Sequence, residues 1–445
     1  MQKNREKWGS RAGFILAAVG SAVGLGNIWR FPTIVGQSGG GAFLIVYLLI
    51  VFVIGIPLII GELAIGRRGK SNIVTAFKKI SPQGKWWIIG TLGVTIGFVV
   101  LSFYSVISGW AIAYMFKFAT GGMASPGLAG ASNAFEALVS HPYIPLIWHG
   151  VFLALVVFVV ILGIHKGIEK ASKILMPILF ALLIALVIRS VTLEGSLEGI
   201  VWFIEPDWSR ISLSTVLGAL GQVFFSLSLG MGTIITYGSY LGEEEKIPSN
   251  SVIIAAADVG IAVLSALIII PAVFAYGVEP DLGIPLIFVT LPLVFGALPL
   301  GNIFGTLFFA LLVIAALTSG ISLLQVVVAY FTESFEWGTK KAAIITGAII
   351  FALGIPSALS MGLLEDVKIL GLSVIDMMDA LSSKLLLPLS GLLTALFLGW
   401  VWKPKSAIAE IQKKGNPFSL GRPWSLIVKF VLPAVLSYIV ISGLL

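Results

Sequence analysis

Asp258 stands inside an apolar run, with Ala257 before it and Val259 after it. An ionisable side chain in a membrane-length segment is expensive to keep there, so it marks a functional position by default. Two more stretches are chemically unusual for apolar segments. Residues 20–27 read G-S-A-V-G-L-G-N, and residues 226–232 read S-L-S-L-G-M-G. Glycine and serine at that density interrupt a helix, and an interrupted helix exposes carbonyls and N–H groups. Exposed carbonyls are hard oxygens, the kind of ligand that suits a small hard cation such as sodium. Two plainer readings stay open: Asp258 caps its helix near the cytoplasmic end, and the glycines merely let helices pack closely.

The rest of the inventory argues against catalysis. With no cysteine there is no thiol nucleophile, thiolate metal site or disulfide. His141, His149 and His165 are too scattered for a metal cluster. No carboxylate pair is placed for acid–base work, and no phosphate-binding loop would let ATP supply the energy. The protein is therefore not expected to be an enzyme.

These residues must be positioned by a membrane protein. Of 445 residues, 58% are hydrophobic and 11% charged, and the mean hydropathy is +1.05; soluble domains carry about 25% charged residues. A helix needs about 20 apolar residues to cross a bilayer. On that basis residues 41–66, 88–118, 145–163, 169–189, 251–275, 304–335, 341–355, 373–402 and 424–444 form spans. Residues 12–36 and 213–240 form two more that are rich in glycine and serine, giving about eleven. No cleavable signal is evident in the first of these. The net charge of +7 is no nucleic-acid footprint, because its Lys and Arg cluster in short loops. Lys3, Arg5, Lys7 and Arg11 precede the first span, and Arg67, Arg68, Lys70, Lys78, Lys79 and Lys85 follow the second. Such clusters lie on the cytoplasmic side, which puts the N-terminus inside and, with an odd number of spans, the C-terminus outside.

The two interrupted spans are each the first of a set of five. Broken helices in corresponding positions point to an inverted-repeat secondary transporter with its site at the breaks. The expected architecture is all-α and polytopic, one transporter domain over residues 1–445. Its first repeat covers helices 1–5 (12–189), its second helices 6–10 (213–402), and helix 11 (424–444) follows.

Residues 11–32, R-A-G-F-I-L-A-A-V-G-S-A-V-G-L-G-N-I-W-R-F-P, resemble the first helix of the neurotransmitter:sodium symporter family. The resemblance continues through G-G-G-A-F (39–43), G-Q-V-F-F-S-L-S-L-G (221–230) and A-L-T-S-G (316–320) and spans essentially the whole chain. Within the family the chain is most similar to bacterial amino-acid transporters. It departs from many members in lacking a twelfth helix, so that helix's part in dimerisation does not carry over. The family's Asn in the seventh helix is replaced by Asp258.

The resemblance implies two sodium ions. The first would be held by the Ala22 carbonyl, the Asn27 side chain, Ser226 and Asp258, completed by the substrate carboxylate. The second would use carbonyls of Gly20, Val23 and Ala315 with the hydroxyls of Thr318 and Ser319, where plain interhelical hydrogen bonding is the alternative. Asp258 would supply the negative charge that animal members take from chloride, so no chloride requirement is expected. Monoamine carriers have an Asp where this chain has Gly24; the ligand here must bring its own carboxylate to sodium, to the N–H groups of Leu25 and Gly26, and to Tyr104. Its side chain would lie among Ser21, Val100, Phe225, Ser228, Met231, Ser319 and Leu323, with Met231 able to re-pack around aliphatic and aromatic groups.

Arg30 and Asp379 would close the site from outside with Phe225 and Tyr104 as a lid. Arg5 and Glu333 would close it from inside, supported by Trp8, Ser239 and Tyr240. Gly167 and Pro177 would let helix 5 unwind toward the cytoplasm, or simply fix a kink. The expected activity is sodium-coupled uptake of hydrophobic L-amino acids at the bacterial inner membrane. The partners are the substrate and the lipid bilayer, with no nucleic acid and no obligatory oligomer. A channel fits less well, because it would want rings of like charge along a pore.

Overall fold

The computed structural model describes residues 6–123, 127–277 and 285–444. Among them no strand forms, and only two isolated bridges occur, Gly40 with Pro206 and Ile369 with Leu372. With no water in a bilayer core, each backbone group must be satisfied within its own helix.

Among the described residues nine helices are long and apolar enough to cross a membrane. In chain order with the two broken ones they are α1 (α1a Arg11–Ala22 and α1b Gly26–Gln37), α2 (Gly41–Gly69), α3 (Trp87–Ala119), α4 (Ile144–Ile161) and α5 (Ile164–Val191). There follow α6 (α6a Leu213–Ser226 and α6b Thr233–Gly238), α7 (Ile247–Ala275), α8 (Gly301–Ser334), α9 (Thr339–Ala358), α10 (Val374–Val401) and α11 (Gly421–Gly443). The two halves of α1 meet at 51°. The interrupted span expected over 213–240 is two short helices separated by residues 227–232. At 14 and 6 residues neither half can cross alone. The loops between spans also hold helices, Gly127–Val139, Ser196–Ile204 and Leu286–Ala297, too short to register as membrane spans.

The packing respects an exchange of helices 1–5 with 6–10. α2 lies on α6b as α7 lies on α1, and α5 lies on α8 as α10 lies on α3. α3 and α8 form the most extensive pair, and α4 and α9 pack together outside them. This is a five-plus-five inverted repeat, and both breaks fall in its interior: Val23, Leu25, Leu227, Ser228 and Leu229 are all buried.

Candidate functional site

The chain leaves α1a at Val23, whose backbone turns extended (φ −77°, ψ 111°) while its N–H still bonds the Val19 carbonyl at 2.7 Å. Gly24 follows. A β-carbon there would stand 2.6 Å from Tyr104 Oη and 3.2 Å from Ser319 Oγ, so a side chain at this position would have to displace Tyr104. Tyr104, from the middle of α3, accepts the N–H of Leu25 at 3.1 Å. That N–H is one of the orphan donors at the head of α1b.

The break in α6 rests on left-handed backbone. Gly230 has φ +72°, and a β-carbon on it would stand 2.8 Å from the Leu387 carbonyl. Ser228 takes φ +54°, which costs a non-glycine residue some strain. It is held there because its hydroxyl donates to the Ser21 carbonyl at 2.8 Å, tying one break to the other. Ser21 Oγ in turn donates to Ser322 Oγ of α8 at 2.8 Å.

Asp258 lies eleven residues into α7 and is fully buried, which removes the capping alternative. Its carboxylate accepts Asn27 Nδ2 at 2.7 Å and the Ser226 hydroxyl at 2.8 and 2.7 Å, with Tyr47 Oη at 3.4 Å. Asn27 Oδ1 accepts the Gly24 N–H at 3.1 Å. Thus Asn27, Ser226 and Asp258, proposed together from sequence, meet in space from α1, α6 and α7. Among the described residues no Lys or Arg pairs with Asp258, and no group of three or more His, Cys, Asp or Glu gathers to hold a metal. One carboxylate among neutral oxygens matches a monovalent hard cation better than a divalent one.

The second proposed cation position lies between α1a and α8. A β-carbon on Gly20 would stand 3.1 Å from Thr318 Cβ, so the two backbones run close. The Thr318 hydroxyl donates to the Ala315 and Ile314 carbonyls at 3.0 and 3.2 Å, which are bonds within α8 and not between helices. Val100, Phe225, Met231 and Leu323, expected around the substrate side chain, are all buried in the same core.

Residues expected at both gates are in contact. Arg30 Nη1 is 3.6 Å from Asp379 Oδ1, and its guanidinium lies 5.3 Å from the centre of the Phe225 ring. On the opposite side Trp8 donates from Nε1 to the Tyr237 carbonyl at 3.1 Å and meets the Tyr237 ring edge-on at 5.2 Å. Tyr240 Oη accepts Gln325 Nε2 at 3.0 Å. Glu333 accepts the backbone and side-chain N–H groups of Asn72 at 2.6 and 3.2 Å; Arg5, its expected partner, lies outside the described residues. The stretch between Gly167 and Pro177 is wound in this structure, continuous with α5.

A family model described as the sodium:neurotransmitter symporter family matches residues 5–125 and 145–445. The chain belongs to this family. A sodium-dependent transporter of Bacillus subtilis is 38% identical over 428 residues, 96% of this chain and 95% of that one. A second, from Haemophilus influenzae, is 38% identical over 99% of both chains. The crystal structure of MhsT in complex with L-phenylalanine matches with a TM-score of 0.93 and 46% identity, covering 99% of this chain and 100% of that one. The symporter is thus a multi-pass membrane protein of a sodium-coupled transporter family, and its homologues are transporters, not enzymes.

Three residues of this core were not read from the sequence. Glu62 of α2 is fully buried and accepts the Gly230 N–H of the α6 break at 2.8 Å. Gln222 donates to the Gly26 carbonyl at 2.8 Å, and Tyr47 reaches Asp258. The rule that singled out Asp258, an ionisable group in an apolar span, applies equally to Glu62.

Proposed function

We propose that this symporter takes up hydrophobic L-amino acids, aliphatic and aromatic, with two sodium ions and without chloride, by alternating access. The observation that carries the reading is the contact between Gly24 and Tyr104. Gly24 offers no carboxylate to receive an amine, and Tyr104 fills the space beside it, its phenol oxygen 2.6 Å from where a β-carbon would stand. A ligand must bring its own. The freed N–H groups at the head of α1b and the Tyr104 hydroxyl favour an anion there, and the buried apolar side chains of Val100, Phe225, Met231 and Leu323 favour an apolar side chain beside it.

Sodium is cargo in this scheme. Ala22, Asn27, Ser226 and Asp258 would hold one ion; Gly20, Val23, Ala315, Thr318 and Ser319 would hold the other. Asp258 supplies the fixed negative charge at the first position. The Arg30–Asp379 pair and the Trp8–Tyr240 cluster would open in alternation, and the Gly167–Pro177 stretch would unwind when the inner side opens. A pair that must part in every cycle should be weak, and Arg30 and Asp379 make a single long contact at 3.6 Å. The N-terminus would face the cytoplasm of a bacterial cell, the C-terminus the outside, and a monomer would suffice.

The test is uptake of labelled leucine, phenylalanine and tryptophan into proteoliposomes under an imposed sodium gradient. Uptake should vanish when potassium replaces sodium and persist when gluconate replaces chloride. Undiminished uptake in potassium, or a chloride requirement, would overturn the reading.

A further inference from the structure

The connector between α10 and α11 carries a groove that the transport cycle leaves unused. Pro404–Ile411 is a short helix whose Ala407, Glu410 and Ile411 are buried, with Glu410 paired to Arg67 of α2. Its other face presents Lys405, Ile408, Ala409 and, at its end, Gln412, the i, i+3, i+4, i+7 spacing of one helical stripe. Opposite stand Arg422, Ser425 and Leu426 from the first turns of α11. The groove between them measures about 620 Å³.

Its chemistry is divided. Ile408, Ala409 and Leu426 make an apolar wall, while Lys405 and Arg422 provide cations. Both cations are exposed, and among the described residues neither has an ion-pair partner. The nearby carboxylates are already engaged: Glu410 by Arg67 and Lys413, and Glu243 by Lys413 and Lys70. The groove also sits at the level of the helix ends, since α10 stops at Val401 and α11 starts at Gly421. From there an apolar track leads toward the bilayer. Leu426 and Phe430 are 61% and 52% exposed. Lys429, two turns from Arg422, lies 4.7 Å over the Trp400 ring, an aromatic anchor of the kind found at membrane interfaces.

We propose that this groove binds the headgroup of an anionic membrane phospholipid. The phosphodiester sits between Lys405 and Arg422, Ser425 and Gln412 donate hydrogen bonds to it, and an acyl chain follows Leu426 and Phe430. Two unpaired cations beside an apolar track fit a lipid anion, where a soluble anion would leave the track without a use.

The experiment is native mass spectrometry of the purified full chain with phosphatidylglycerol and with phosphatidylcholine of matched chains. Phosphatidylglycerol should be retained preferentially. K405Q/R422Q should weaken it roughly thirtyfold, at about fivefold per cation, while K340Q/K341Q, in the first turn of α9, leaves it unchanged. R422K, which keeps the charge, should retain the lipid, so misfolding of the double variant is separable from loss of binding. Equal retention of both lipids, or unchanged retention in K405Q/R422Q, would overturn the proposal. Displacement by millimolar glycerol 3-phosphate or inorganic phosphate would replace the lipid by a soluble anion, and a dimer that excludes lipid would replace it by a second copy of the chain.

Discussion

Two buried carboxylates, Asp258 in α7 and Glu410 in the connector helix after α10, are held in opposite ways. Glu410 is surrounded by cations: Arg67 Nε at 3.1 Å, Lys413 Nζ at 3.1 Å and Arg68 Nη1 at 3.8 Å. Arg67 is itself fully buried and also donates to the Glu410 and Glu245 carbonyls. Asp258 receives only neutral donors, from Asn27, Ser226 and Tyr47. The charge of Glu410 is answered inside the fold, so it pins α2 to the connector. The charge of Asp258 is answered by dipoles alone, which leaves a buried negative charge for an exchangeable cation to neutralise. A buried charge without a partner is costly, and in the proposed scheme an arriving sodium ion would relieve that cost.

Removing each carboxylate should therefore break a different property. Asp258→Ala should reduce sodium-driven uptake by a hundredfold or more, since loss of one member of a buried pair costs about 3–5 kcal/mol. Its melting temperature in sodium-free buffer should be little changed. Asp258→Asn should regain part of the uptake when chloride is added. Glu410→Ala should show the reverse, a loss of about 3–5 kcal/mol in stability from the stranded Arg67, with sodium half-saturation unchanged in the protein that folds. If both variants lose stability equally without sodium, the contrast between the two carboxylates is wrong.

Smaller effects sharpen the picture within the core. Met231→Phe puts a rigid ring where a flexible thioether packs, and a misfit of a few methylenes is worth ~1–3 kcal/mol. Tryptophan and tyrosine should lose roughly ten- to a hundredfold in affinity while valine and leucine lose less. Competition against one labelled amino acid measures this, and equal losses would make Met231 ordinary packing. Thr318→Ala removes one neutral oxygen, worth about 1 kcal/mol. Sodium half-saturation should rise about fivefold, far less than for Asp258→Ala.

The smallest effect is a pH dependence on the basic side. The hydrogen bond from Lys413 holds Glu243 below the usual carboxylate range, and Glu243 in turn raises Lys413. A carboxylate with a depressed folded value stabilises the fold above its ordinary pKa of about 4.3, and loses that contribution as pH falls through the lower folded value. Glu243→Gln should melt slightly below the parent at pH 7, and the gap should close as pH approaches 3. A gap that widens on acidification would reverse the sign.

Much of the site was legible because its signals are local. Asp258 stands out in an apolar run, Gly24 in a motif, and the paired breaks in their positions within two sets of five spans. Glu62 carries the same signal as Asp258, but it stands five residues before Arg67, at the charged end of its span, where a carboxylate reads as an ordinary helix-end residue. Arg67 and Glu410 gave no such signal. They lie 343 residues apart in segments rich in charge, and loop-end charges ordinarily face water. The stretch from Gly167 to Pro177 shows the opposite limit: its composition permits unwinding, and the packed state keeps it wound.

Hydropathy, glycine placement and loop charge, all properties of short windows, determined that this chain crosses a membrane many times with two broken helices. Only the tertiary structure decided which partners those breaks and charges find. Asn27 and Asp258 are 231 residues apart, Ser21 and Ser322 are 301, and Tyr104 and Leu25 are 79. Such meetings depend on how whole helices pack against one another, and packing is set by the summed contacts of every face, which no local pattern carries.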